Sequence, residues 1–233
     1  MLRSLLSGSL TMQDAVMEIL AVVMIVFLVL PLHEMAHGFV AYKLGDNTAK
    51  NMGRLRFNPM AHVDPIGALM ILFVGFGWAK PVPVNPRNFK NPKAGMAVTA
   101  LAGPVSNLLA GFAAALLYNV AAIVATNVSL STGAWELISI FFIYFISINI
   151  SLAVFNLIPI PPLDGSKILF AFLPDRIVYK AYQNEQVLSI VLIVLIFTGV
   201  LTGPLSYLQN ILTNWVLSLI HISEPTRRTP ISY

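Results

Sequence analysis

The stretch VMEILAVVMIVFLVLPL, residues 16–32, runs without a break into His33-Glu34-Met35-Ala36-His37. Read as a helix, the run is long enough to cross a bilayer, for which about 20 apolar residues suffice. Asp14 and Glu18 open it, and Gly45-Asp46-Asn47 ends it after Leu44. Four residues separate His33 from His37, so both imidazoles fall on one face, one turn apart, where a single metal ion can bind both. Glu34 flanks that face and can serve as a general base toward a water. Zinc is the expected ion, since it accepts imidazole and carboxylate. The bland alternative is a chance H-E-x-x-H. Against it, ionisable side chains within an apolar segment are costly and rare, and mark function by default.

Composition sets the class. The chain has 233 residues, 57% of them hydrophobic and only 10% charged, where a soluble domain carries about 25% charged residues. This points to an all-α polytopic membrane protein with a single domain, residues 1–216, in contact with the lipid bilayer. There is no cysteine, so disulfides and thiolate ligands are excluded and a metal must be held by His, Asp or Glu. The net charge of +4 forms no Lys/Arg-rich helix or aromatic-basic stripe, and no nucleic-acid partner is expected. A cleaved leader is not expected, because the apolar core runs straight into His33 and cleavage would remove or truncate the motif.

The last residues look foreign. Residues 217–227, LSLIHISEPTR, match the translation of a transposase adapter used in sequencing libraries. Residues 217–233 are therefore expected to be a non-native tail, and His221, Arg227 and Arg228 enter no site or topology argument.

Four to five transmembrane helices are expected, with a re-entrant or extended segment between the first and second. Arg54-Leu55-Arg56-Phe57 alternates as a strand would. The apolar piece from Ala68 to Trp78, interrupted by Gly75 and Gly77, is too short to span as a helix. Trp78 to Pro86 reads as extended, with Trp78 and Lys80 suited to a membrane surface. The second span is expected at 95–125, the third at 135–157, a fourth at 187–201 and a weaker fifth at 204–216. Pro159, Pro161 and Pro162 stop the third helix, a short helix resumes at Ser166–Leu173, and residues 174–186 are polar. Lys and Arg crowd the segment from Lys43 to Lys93 and are absent from Asn119 to Trp135. The basic loops are expected in the cytoplasm of a multi-pass protein of the cell membrane, with the N-terminus outside. The H-E-x-x-H motif and Asp164 then lie at similar depth, toward the cytoplasmic side.

Two histidines leave zinc short of a third protein ligand and an open position. Asp164, in the proline-broken stretch Asn156-Leu-Ile-Pro159-Ile-Pro-Pro-Leu-Asp164-Gly165, is the leading candidate, against an alternative role as helix N-cap. His62 is the other candidate, for the metal or for a place near the substrate. Asn156 and Asn107 are amides inside apolar spans. Each either holds a substrate carbonyl or oxyanion or bridges helices.

The chain resembles the site-2 proteases, intramembrane zinc metalloproteases, in their small form without a PDZ or CBS domain. The residues carrying this are His33-Glu34-x-x-His37, Asn58-Pro59-x-x-His62-x-Asp64-Pro65-x-Gly67, Gly103-Pro104-x-x-Asn107, and Asn156-x-x-Pro159 leading to Leu163-Asp164-Gly165, in order across about residues 15–175. The resemblance implies one zinc ion per chain bound by His33, His37 and Asp164, with Glu34 as catalytic base. It also implies a substrate that is itself a membrane helix, cut near the cytoplasmic face. Such a substrate must unwind locally, and the extended segment within 54–90 could pair with it as an added strand. Two rivals differ in class. A non-catalytic zinc-binding membrane protein would not need Glu34. A metal transporter would want acids or histidines at several depths, whereas here they collect at one side. Oligomeric state, substrate identity and regulator are not readable from the chain.

Overall fold

The structure, a computed structural model, describes residues 19–221 apart from 57, 75, 76 and 129. The lead segment and most of the suspected tail lie outside the described residues. The first helix, α1, is Ile19–Lys43. Its turn Ile25–Val29 is π-helical, with the Leu30 N–H donating to the Ile25 carbonyl. Pro31 follows two residues later. A proline ring clashes with the carbonyl four residues back in a regular helix, and the wider π turn relieves that clash one turn ahead of His33.

Short helices α2 (Thr48–Asn51), α3 (Pro59–His62) and α4 (Pro65–Val74) follow. At ten residues, α4 is about 15 Å long, half the hydrocarbon thickness. The chain then doubles back. A Cβ on Gly67 would strike the Trp78 carbonyl, and one on Gly77 the Gly67 carbonyl, so the backbones cross in contact. A short helix followed by the extended segment 77–85 thus lies between the first two long helices. The strand expected over 54–57 is not there. Residues 54–56 are irregular, Phe57 is outside the described residues, and no strand occurs among those described. The alternation was real but found no ladder. The Arg54 N–H turns back to the Ala49 carbonyl, and its guanidinium donates to the Lys80 carbonyl.

Helix α5, Pro92–Val128, is the hub. It packs on α1, on α6 (Thr132–Asn156), on α7 (Asp164–Phe170) and on α10 (Thr202–His221). The reason is a four-residue rhythm. Gly95, Thr99, Gly103, Asn107, Gly111 and Ala115 are all buried along one stripe. In lipid the hydrophobic effect does not drive helices together, so small residues that let backbones approach take over. Gly95 receives the Phe89 ring and Gly111 lies against Asn149 and Ile150 of α6. Below them Ala114, Ala115, Ile146, Ile150, Val154 and Val216 close the core between α5, α6 and α10. Pro104 sits inside α5 without ending it.

Helices α1, α5 and α6 are long and apolar enough to cross a membrane. The polar segment 174–186 is largely helical. Helix α8 (Asp175–Gln183) meets α9 (Glu185–Phe197) at a 73° bend, and the pair counts as a fourth span only if taken together. The all-α polytopic reading holds.

Candidate metal centre

His33 and His37 leave α1 on the same side, with ring centroids 4.6 Å apart. Asp164 occupies the first turn of α7. The residue capping that helix is Leu163, with no side-chain cap bond, so the Asp164 carboxylate is not spent as an N-cap. It turns to the histidines instead. His33 Nε2 lies 3.2 Å and His37 Nε2 3.1 Å from Asp164 Oδ2, and the two Nε2 atoms are 3.0 Å apart. Zinc–ligand bonds of 2.0–2.1 Å in a tetrahedron put ligand atoms about 3.3 Å apart. The triangle therefore has the size of one face of a zinc coordination shell. Two imidazoles and a carboxylate are also a donor set that zinc accepts. Among the described residues no other group of three such side chains meets this way.

The outer contacts fix how each ring is presented. His37 Nδ1–H donates to the Thr99 carbonyl at 2.7 Å, which leaves Nε2 as the lone-pair nitrogen. His33 Nδ1 stands 3.0 Å from the buried amide of Asn107. Drawn with its nitrogen toward His33, that amide leaves Asn107 Oδ1 buried and without a partner. Turned over, Oδ1 accepts from His33 Nδ1–H, which frees His33 Nε2 for the triangle. Asp164 Oδ1 accepts from Lys167 Nζ at 3.2 Å. Gly103 lies against both imidazoles, where a Cβ would overlap His33 and His37.

A cavity of about 480 Å³ opens on this triangle and is lined by His33, Glu34, His37, Thr99, Asn156, Asp164 and Lys167, with Trp78, Pro81, Val82 and Val84 of the extended segment along one wall. Glu34 Oε2 accepts from the Val82 N–H at 2.8 Å, so the carboxylate is held by one oxygen. Asn156 Nδ2 donates to the Leu152 carbonyl within its own helix. His62 is 1% exposed and belongs neither to the triangle nor to the cavity lining. Its carbonyl accepts from the Lys80 N–H at 2.8 Å, which braces the extended segment from behind.

The sequence-predicted residues thus divide. His33, His37 and Asp164 meet, Glu34 and Asn156 share their cavity, Asn107 stands behind His33, and His62 stands behind the wall. Thr99 and Lys167 carry no such expectation, and Gly103 enters only through the Gly103-Pro104-x-x-Asn107 motif. Thr99 and Val82 act through backbone atoms and leave no residue signature. Gly103 belongs to the four-residue rhythm, which is visible in the sequence once sought.

Long apolar helices that bury a metal-sized donor triangle beside a glutamate are the arrangement of a metallopeptidase built inside a membrane. The chain belongs to peptidase family M50, which it matches over residues 20–201. It is 43% identical over 173 residues, 72% of this chain and 75% of the relative, to YwhC of Bacillus subtilis (strain 168), provisionally named a zinc metalloprotease. It is 28% identical over 143 residues, 58% of this chain and 50% of the relative, to Rip2 of Mycolicibacterium smegmatis (strain ATCC 700084 / mc(2)155), which carries the same provisional description. No solved structure matches it.

Proposed function

We propose that the protein hydrolyses a peptide bond in or near a transmembrane segment of a membrane-protein substrate, with zinc held by His33, His37 and Asp164 and with Glu34 as general base. The observation that carries this reading is the shared cavity. The donor triangle, Glu34 and Asn156 all line one space whose far wall is extended backbone. A pure metal store has no use for that carboxylate.

Bound by His33, His37 and Asp164, zinc would supply a Lewis acid for the scissile carbonyl and would lower the pKa of a water to roughly 7. Glu34 takes that water's proton at the oxygen that Val82 does not hold. The water oxygen forms its bond to the carbonyl carbon, the C–N bond breaks, and Glu34 returns the proton to the leaving amine. Asn156 Nδ2 has a second N–H beyond the one on Leu152, and that donor is available to the carbonyl oxygen. Thr99 and Asn107 hold the two imidazoles in the tautomer that offers Nε2.

A substrate helix must unwind to present its carbonyl, and the segment 78–85 is placed to receive it. The N–H groups of Lys80, Val82 and Asn85 are already engaged, Pro81 and Pro83 have none, and Trp78, Ala79 and Val84 keep donors free among the described residues. The Lys/Arg pattern supports a site toward the cytoplasmic side with the N-terminus outside.

The test is paired. Wild type and Glu34→Gln are purified in detergent, zinc per chain is counted, and each is incubated with a single-span substrate. About one zinc in both and cleavage by wild type alone is the expected result. Zinc in both with no cleavage of a panel of single-span substrates would favour a binding protein, and absence of zinc from both would remove the reading.

A further inference from the structure

Helix α8 has an apolar face that the described residues cover only in part, through Phe170 against Tyr182. None of its residues is buried. At 100° per residue, Ile177, Val178, Ala181 and Tyr182 fall on one side, and Asp175, Arg176, Tyr179, Lys180 and Gln183 on the other. Ile177 is 50% exposed and Tyr182 49%, and Phe172 just before the helix is 81% exposed. The next helix, α9, is different in kind, because after Glu185 and Gln186 it is apolar all round except for Ser189. An apolar surround suits the bilayer interior, while a one-sided helix does not. The 73° bend between them turns α8 close to perpendicular to α9. A helix that continued the span would not split into two faces, and one in open water would not leave four apolar side chains together.

We propose that α8 lies in the plane of the lipid–water interface, on the side of the metal centre. Its apolar face enters the acyl boundary, and Arg176 and Lys180 face a headgroup layer containing anionic lipid. The charge pattern fits. Asp175, the acid of the polar face, is neutralised by Lys93 at 2.6 Å, which leaves Arg176 and Lys180 as the net charge of the helix. Each basic side chain near such a surface adds about 1 kcal/mol of attraction. The helix is also tied to the catalytic half. Lys93, in the first turn of α5, donates to the Leu173 carbonyl at 2.7 Å, and Phe170 of α7 meets the Tyr182 ring at 5.3 Å. An α8 seated in the headgroups therefore fixes the height of α7, which carries Asp164.

The chain has no cysteine, so single cysteines along 176–183 can be introduced and labelled with an environment-sensitive fluorophore. The labelled proteins are reconstituted into vesicles of zwitterionic lipid with and without phosphatidylglycerol, and zinc content serves as the control for folding. The expected pattern is helical. Labels at positions 177, 178 and 181 are quenched by nitroxide lipids and lose iodide quenching, and labels at 176, 180 and 183 do the reverse. In the double variant Arg176→Glu, Lys180→Glu, the lipid quenching at 178 falls in phosphatidylglycerol vesicles and stays unchanged in zwitterionic ones. Uniform iodide access along the helix overturns the proposal. Shielding of the apolar face from both quenchers also overturns it, since that would mean a second copy or another protein covers the face.

Discussion

The side-chain amide of Asn107 stands 3.0 Å from His33 Nδ1, both groups buried. That one contact decides which nitrogen of His33 can face a metal. Second contacts of this kind are worth about 10–100-fold in metal affinity. Asn107→Ala is therefore expected to weaken zinc binding by about that factor in chelator competition, while Asn107→Asp, which keeps an acceptor, retains it. Equal affinity in the alanine variant would show that the amide only bridges helices.

Gly103 makes a stricter demand, because there is no room for one methyl group beside His33 and His37. Gly103→Ala must push α1 away from α5. Overpacking of this kind costs about 1–3 kcal/mol, and the displaced histidines lose the triangle. Zinc counts should fall well below one per chain and the thermal midpoint should drop. A variant that keeps full zinc would mean the helices separate without strain.

Two prolines separate the roles of the wall. Val82→Pro removes the N–H that holds Glu34 Oε2, and Val84→Pro removes a free one. The first should lower kcat by as much as about 100-fold. The second should raise KM with kcat nearly kept. Both should retain zinc. Identical kinetic profiles would show that the two N–H groups do not have separate jobs.

Asp46 is fully buried and ties the end of α1 to the end of the wall, accepting from Thr48, from the Asn85 N–H at 2.7 Å and from Asn88 Nδ2 at 2.6 Å. Burial pushes its carboxyl up, but those donors outweigh it and hold the group below its ordinary value of 3.8. The folded value lies under the unfolded one, so the stabilisation is complete above about pH 4 and is lost as pH falls through the folded value. Asp46→Ala should lower the melting temperature at pH 7, at a cost of about 1.5–3 kcal/mol for charged hydrogen bonds. The gap to wild type should shrink in acid. A gap that stays constant down to pH 3 would count against the charge being the cause.

How far the chain could be read in advance follows from what each signal encodes. The His33–His37 spacing is local and helical, so it survived folding unchanged. Asp164 was legible because charge and proline placement put it at the same depth. Asn107 was legible as a buried amide but not as the partner of His33, since the sequence does not say which helices touch. The alternation at 54–57 misled because a two-residue period needs a neighbouring edge, and no strand occurs among the described residues. The segment 174–186 reads as polar by composition, and only its 100° spacing puts Ile177, Val178, Ala181 and Tyr182 together.

The length of α5 has a consequence for the lipid as a reagent. Its 37 residues make a rod of about 55 Å in a hydrocarbon layer of about 30 Å. Gly103, which backs the donor triangle, lies about 16 Å from the end at Pro92. The rod must tilt or protrude, and the amount is set by bilayer thickness. On the proposed reading, where a substrate helix is cut becomes a property shared between enzyme and membrane. Lengthening the acyl chains should shift the scissile bond along the substrate, and mass spectrometry of the fragments from thin and thick bilayers would read that shift directly.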